Sequence, residues 1–417
     1  METLELFNPW WKEGEISREL APEYRRRMFE ELKRLQETDQ ITLISGLRRV
    51  GKTTLMYQLI EDLLDQGTEP TNILYFSFDE KIQDPTEILE RYQDRTGTDW
   101  QNERCHIFLD EIQKLDDWSN KLKILYDTVP KSKITVSGSS SFRLEKDADL
   151  NLAGRHFQMQ IPPLSFKEYL QMSGSDTEPE KPEMYRRELE REFREYLKRP
   201  FPETATMEDA GLIKRYIKDN IIEKIVRVDL SDEFDNIREE LLTRLIDLFY
   251  DQPGTYLNYN ELANELGIGK ETLSRHLSAL EYAYIIRRVK NYRPNTRTTS
   301  RKLQRIYPFH WSLQFGWNGD IDTETVVSSM IDARYYWRKQ GKEVDFLRVE
   351  DKKIEPIEVK ESEKVRKSSL RDLISFIQKF DYEQGTLAYN GREETLETED
   401  IKVEKRPVWR MALEEGA

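Results

Sequence analysis

The stretch from Ile41 to Ile60 constrains this chain more than any other. Ile41-Thr42-Leu43-Ile44-Ser45 is a short apolar run. It leads into Gly46-Leu47-Arg48-Arg49-Val50-Gly51-Lys52-Thr53, and then into Thr54-Leu55-Met56-Tyr57-Gln58-Leu59-Ile60. That order predicts a buried strand, a glycine loop and a helix. Two glycines with four residues between them, followed by Lys and Thr, match the Walker A spacing, and the flanking strand and helix make the match specific. The glycines let the backbone curl so that its N–H groups converge on an anion. The helix adds the positive end of its dipole.

Three further apolar runs follow, Ile73 to Phe78, His106 to Leu109 and Ile134 to Ser137, with helical stretches between them. Strands alternating with helices predict an α/β fold with a parallel sheet covered on both faces. The loop then implies ATP as the ligand and magnesium as its companion. Gly46, Arg49, Val50, Gly51, Lys52, Thr53 and Thr54 are the expected nucleotide contacts, with Lys52 reaching the β- and γ-phosphates and Thr53 the metal. Ile107-Phe108-Leu109-Asp110-Glu111 has the Walker B form, an apolar strand that delivers two acids. Asp110 is expected to hold the metal through its water shell, and Glu111 to orient and polarise the attacking water. In Ser137-Gly138-Ser139-Ser140-Ser141, a polar residue would sit between the two Walker strands and meet the γ-phosphate or its water. Ser139 is the first choice and Ser137 the second.

Charge and cysteine usage narrow the rest. The chain carries 79 acids against 65 bases, a net charge of -14, so nucleic-acid binding requires a local basic patch. Cys105 is the only cysteine, which excludes an internal disulfide and a cysteine-based zinc site. The four histidines, His106, His156, His276 and His310, lack metal-ligand spacing. No apolar run approaches membrane-spanning length, and Met1 to Trp11 is not a signal peptide. A soluble, cytoplasmic protein without a membrane partner is expected.

Several segments together resemble the prokaryotic AAA+-type ATPases common in archaea and their mobile elements. They are Gly46 to Thr54, Leu109-Asp110-Glu111-Ile112-Gln113, Val136-Ser137-Gly138-Ser139-Ser140, Leu152-Ala153-Gly154-Arg155 and Pro163-Leu164-Ser165-Phe166. The resemblance runs over roughly residues 40 to 390. It implies an AAA+ core with a C-terminal winged helix and a nuclease-like domain, working as a homo-oligomer, with a hexameric ring among the options. It also implies that Arg155 is offered to a neighbouring subunit's γ-phosphate, where a cation stabilises the charge of phosphoryl transfer. A surface arginine at a strand edge is the alternative.

Residues 237–290 read as a compact helical unit with a β-like tail. Leu241 to Tyr250, Tyr259 to Leu266 and Lys270 to Leu280 are its helices, and Tyr284 to Val289 is a strand. This is a helix-turn-helix layout with a wing. Thr272, Ser274, Arg275 and Ser278 are expected on the exposed face of the third helix. From Ile285 to Arg305 come eight bases and no acid: Arg287, Arg288, Lys290, Arg293, Arg297, Arg301, Lys302 and Arg305. In an acidic chain that asymmetry points to DNA as a partner, with Thr272, Ser274, Arg275, Arg287, Arg288, Lys290, Arg293 and Arg297 as the contacts. A docking module for an acidic protein is the alternative.

Glu343 to Leu347 and Pro356 to Lys360 read as two strands. Asp345, Glu358 and Lys360 fit the D…ExK pattern of restriction-endonuclease-like folds, where carboxylates bind Mg²⁺ and the lysine assists. The family resemblance adds Glu324 as a further carboxylate, although Thr325 follows it where the family often has Asn. Either an active nuclease or a retained fold without cutting fits these residues.

The expected organisation is an N-terminal helical segment over 1–39, a P-loop core over 40–163, a helical lid over 164–235, a winged helix over 236–304 and a small α/β restriction-endonuclease-like domain over 305–417. The expected function is ATP hydrolysis coupled to DNA. A slowly hydrolysing nucleotide-switched scaffold and an ATP-regulated Mg-dependent nuclease are the rivals.

Overall fold

Strand β1 (Ile41–Ser45) is buried at every residue, as are β2 (Ile73–Ser77), β3 (His106–Asp110) and β4 (Lys133–Gly138). Continuous apolar runs of this length suit strands covered on both faces. β5 (His156–Gln160) is partly exposed and closes one edge. The five strands are parallel, in the order β2-β3-β4-β1-β5. β4 therefore lies between the two Walker strands. The computed structural model describes residues 2–80, 84–138, 151–234, 236–293, 303–350, 353–398 and 401–415.

β2 is the other edge of this sheet, and the N-terminal Asn8-Pro9-Trp10-Trp11 covers it. The Asn8 amide donates to Tyr75 O at 2.8 Å and accepts from Tyr75 N–H at 2.7 Å. Both indoles, Trp10 and Trp11, donate to Ile73 O, at 3.1 and 2.8 Å. Side chains thus satisfy the edge groups that a further strand would otherwise pair.

The chain divides into two compact units, Met1–Pro163 and Leu164–Ala417. The border coincides with the expected end of the P-loop core. The divisions expected at 235/236 and 304/305 differ from what is seen. The expected helical lid, winged helix and C-terminal domain fold together as one unit around one sheet. That sheet has nine strands in the order β13-β14-β12-β11-β10-β9-β7-β8-β6. They are β6 (Thr255–Tyr256), β7 (Ile286–Asn291), β8 (Gln304–Pro308), β9 (Tyr335–Lys339), β10 (Lys342–Glu350), β11 (Lys353–Lys360), β12 (Gln384–Tyr389), β13 (Glu394–Thr398) and β14 (Ile401–Pro407).

The seam between the two expected domains is the parallel pair β7–β9. Lys290 N–H donates to Arg334 O at 2.9 Å and Tyr292 N–H to Tyr336 O at 2.7 Å. The Asn291 side chain extends the ladder, donating to Arg338 O and accepting from Arg338 N–H, both at 3.1 Å. Side chains alternate across the sheet. Tyr336, Phe346 and Ala388 pack into one core with the helices Phe166–Met172, Arg186–Tyr196 and Trp311–Trp317. Trp337, Leu347 and Leu387 pack on the opposite face with the helix Arg371–Phe380.

Candidate functional site

The loop after β1 takes the expected path. Gly46 has φ 147° and Gly51 φ 90°, conformations that favour glycine. A Cβ on Gly46 would lie 2.4 Å from Ile161 O, so only glycine lets the loop pass β5's exit so closely. Arg49 also has a left-handed backbone, φ 65°. Gly51 caps the helix Lys52–Asp65, whose first residues are Lys52, Thr53 and Thr54. Lys52 is buried, and its Nζ donates to the loop carbonyls of Gly46 at 3.1 Å and Leu47 at 2.9 Å. Arg26, also buried, fixes the loop from behind, with Nη1 donating to Val50 O and Pro162 O at 2.8 Å and Nη2 to Pro163 O at 3.1 Å.

Asp110 sits at the C-terminal end of β3 and gathers four donors. Thr53 Oγ1 donates to its Oδ2 at 2.7 Å and Tyr75 OH to the same oxygen at 2.8 Å. Ser137 Oγ donates to its Oδ1, which also accepts from Glu111 N–H at 3.1 Å. Burial and the Asp110 charge push the Tyr75 hydroxyl far above its usual pKa, so it remains a donor. Glu111 follows with a left-handed backbone, φ 54°, and its Oε2 accepts from the Gln113 amide. Such a backbone in a non-glycine residue is uncommon; here it turns the chain off the strand end beside the loop.

Magnesium fits this arrangement. Hydroxyl and carboxylate oxygens are its preferred donors. The Thr53 proton is directed at Asp110, which leaves the hydroxyl lone pairs for an ion. Asp110, already holding four donors, suits contact through the ion's water.

Ser139 lies outside the described residues. Ser137, the second choice, reaches the Walker B pair. Arg155 immediately precedes β5. Ile41 pairs with His156 and Ser45 with Gln160, so Arg155 stands at the end of the sheet opposite the P-loop. Its Nε donates to Asp127 at 3.2 Å. Sequence reasoning missed Tyr75 and Arg26. Tyr75 is the only hydroxyl-bearing aromatic in β2, and a polar tip within a buried strand beside the Walker B strand was a usable signal. Arg26, one of three consecutive arginines, carried none.

In the second unit the helices Glu239–Asp251, Tyr259–Glu265 and Lys270–Tyr282 form, with β6 after the first and the β7–β8 pair after the third. Of the expected contacts, Arg275 and Lys290 are exposed, while Thr272, Ser274 and Arg293 are half-buried. Arg287 and Arg288 correct the expectation. Arg287 is 8% exposed, ion-paired with Asp332, and lies 4.8 Å over the Phe309 ring. Arg288 binds Glu281 at 2.7 Å, Ser278 at 3.1 Å and Tyr259 at 3.2 Å. Both guanidinium groups are engaged within the unit. Arg297, Arg301 and Lys302 lie outside the described residues.

Glu324, Asp345, Glu358 and Lys360 do come together. Lys360 Nζ lies 2.6 Å from Glu358 Oε1 and 3.9 Å from Asp345 Oδ2. Asp345 Oδ2 also accepts from Val359 N–H at 2.9 Å. Burial holds the Asp345 and Glu358 carboxyls above their usual pKa, for Asp345 with help from the charges of Glu358 and Glu324. Burial works against the charge of Lys360, but the facing carboxylates outweigh it and raise its pKa. Among the described residues no group of three or more His, Cys, Asp or Glu is arranged to hold a metal ion. Arg305, counted above with the basic run, is buried among these acids instead.

Among the described residues no helix is long and apolar enough to cross a membrane. Residues 38–170 match the model of a family described as an AAA domain. Residues 183–311 and 327–406 match two families described as domains of unknown function, DUF8612 and DUF4143. An uncharacterized protein of Haemophilus influenzae is 28% identical over 280 residues, covering 64% of this chain and 66% of the relative's own length. One from Methanocaldococcus jannaschii is 27% identical over 334 residues, covering 74% of this chain and 72% of that one. The structure of C. elegans PCH-2 aligns over 41% of this chain and 50% of its own at 15% identity, with a TM-score of 0.27.

Proposed function

We propose that this chain hydrolyses ATP with magnesium, in the manner of AAA+ ATPases, and that it acts on or with DNA as a homo-oligomer. The hydrogen-bonded set Thr53–Asp110–Ser137–Glu111 beside the buried Lys52 carries the ATPase reading. Thr53 and, through water, Asp110 would hold the magnesium ion, which supplies positive charge to the β- and γ-phosphate oxygens. Lys52 would exchange its two carbonyl partners for phosphate oxygens. Glu111 would accept a proton from the attacking water, and Ser137 would hold the Asp110–Glu111 backbone in place for it.

The DNA reading is supported by the order of three helices followed by a β-hairpin, which is that of a winged helix, and by the exposed Arg275 and Lys290. The inward turn of Arg287 and Arg288 leaves Arg275, Lys290 and Arg293 as its main described cations. Arg155 supports the oligomer: at the far end of its own sheet, it can approach a γ-phosphate only on another subunit.

ATP turnover with and without duplex DNA, alongside mass in solution with a non-hydrolysable ATP analogue, tests the reading. The expected result is turnover that rises with DNA and a mass several times that of the chain. Slow, DNA-indifferent turnover would favour a nucleotide-switched scaffold.

A further inference from the structure

The D…ExK carboxylates share their site with an arginine. Arg305, on β8, places Nη2 2.8 Å from Glu324 Oε2, and Nη1 3.2 Å from Glu343 Oε1 and 3.7 Å from Asp345 Oδ1. Nη1 makes no aligned hydrogen bond, so this limb acts through charge. Nε donates to Gly254 O at 3.0 Å. The guanidinium lies 5.1, 5.8 and 5.9 Å from the ring centres of Tyr307, Tyr256 and Tyr336. Its side chain is 10% exposed.

We infer that Arg305 is the resident cation of this cluster, and that Glu324 and Asp345 hold a guanidinium where a nuclease with this pattern holds a divalent metal. Three features of the fold support a permanent seat. Gly254 has φ 78°, and a Cβ there would lie 2.5 Å from Arg305 Nη2, so the backbone at 254 is shaped to admit the guanidinium. Tyr307 OH donates to the same Glu324 Oε2 at 2.8 Å, which locks that carboxylate toward Arg305. Lys360 spans Glu358 and Asp345 from the other side, so cations face Asp345 from two directions.

The chemical consequence is a site that holds its strands together and does not cut. A guanidinium stays protonated at every accessible pH. It cannot bind and acidify water as a metal does. The cluster then joins β8, β10, β11 and the helix Thr323–Met330 by charge. This inference stands whether or not the first unit hydrolyses ATP.

The test uses Mn²⁺ as the probe, titrated into the nucleotide-free full chain and read by electron paramagnetic resonance. Any Mn²⁺ held in the first unit is common to parent and variants. The parent and Asp345→Asn proteins are expected to bind the same number of ions, and the parent should leave duplex DNA intact in Mg²⁺ or Mn²⁺. Arg305→Met should gain one ion per chain, and the double variant Arg305→Met/Asp345→Asn should lose it again. An ion bound by the parent and lost in Asp345→Asn overturns the inference. So does metal-dependent cutting by the parent that Lys360→Ala abolishes, or a folded Arg305→Met that gains no ion. If Arg305→Met does not fold, the parent and Asp345→Asn comparison decides alone.

Discussion

Ser137, on β4, donates its hydroxyl to Oδ1 of Asp110 on the neighbouring strand β3. The same Asp110 oxygen accepts Glu111 N–H, so the serine sets where the carboxylate and the following backbone lie. Ser137→Ala is expected to bind ATP normally and to turn over roughly tenfold more slowly, the scale of one hydrogen bond of about 1.4 kcal/mol. Glu111→Gln should also bind ATP but lose about 10²- to 10⁴-fold in turnover, because a general base is removed. Lys52→Ala should fail to bind. Binding by fluorescent ATP analogue and turnover by phosphate release separate the three outcomes.

Arg155 should act across a subunit boundary. The Arg155→Ala protein should bind ATP and lose up to roughly 10³- to 10⁵-fold in turnover. Mixing it with Lys52→Ala should restore part of the activity, since an intact Lys52 site can then receive a neighbour's arginine. A tagged pull-down shows whether subunits exchange. Exchange without recovered activity would leave Arg155 only its ion pair with Asp127.

Neutralising Arg275, Lys290 and Arg293 together should weaken duplex DNA binding. Each lost phosphate contact should flatten the slope of log affinity against log salt by about one unit. Arg287→Ala should behave differently: it removes the buried end of a pair with Asp332 and the packing over Phe309, so a lower melting temperature is expected. A salt slope that changes with Arg287→Ala and not with the triple variant would reverse this assignment.

Asn8→Ala removes both hydrogen bonds to the Tyr75 backbone at the β2 edge. A stability loss of about 1–3 kcal/mol is expected from urea unfolding, because two buried edge groups lose their partner. The freed edge should also make the protein more prone to aggregate on light scattering.

His310 offers a pH test. Its Nδ1 accepts from Ser312 N–H at 3.2 Å and caps the helix Trp311–Trp317. Burial, with Arg287 nearby, lowers its pKa to about 3. The unfolded chain takes up this proton at about pH 6.5. Between those values the unfolded state binds more protons, so the contribution is complete above about pH 6.5 and lost as pH falls toward 3. The slope is up to about 1.4 kcal/mol per pH unit. His310→Asn can keep the cap without titrating, and its stability difference from the parent should shrink as pH falls. A difference constant from pH 7 to 4 would contradict the assignment.

The first unit was largely legible because its signals are local. An apolar run, two glycines, a lysine and a threonine occur within one stretch of chain, and Asp110 closes another. Tyr75 and Arg26 escaped because they meet the site through partners 35 and 24 residues or more away. In the second unit the helices followed from periodicity, the shared face of Glu358 and Lys360 from their two-residue spacing, and the grouping of Asp345 with them from the D…ExK pattern. The orientation of the basic run was misjudged, although a strand points Arg287 and Arg288 to opposite faces, so at least one had to turn from any single surface. The continuous nine-stranded sheet was not readable, since it depends on pairing β7 with β9 across 44 or more residues of chain.

That pairing has a mechanical meaning. The seam between β7 and β9 runs parallel, and the Asn291 amide clamps it at one end. A pull on the helix Lys270–Tyr282 along β7 would load these bonds in shear and together, not one after another as in peeling. The force would reach β10 and β11 through the hydrogen-bonded ladders that join them to β9. The second unit should therefore respond to load as a single stiff plate.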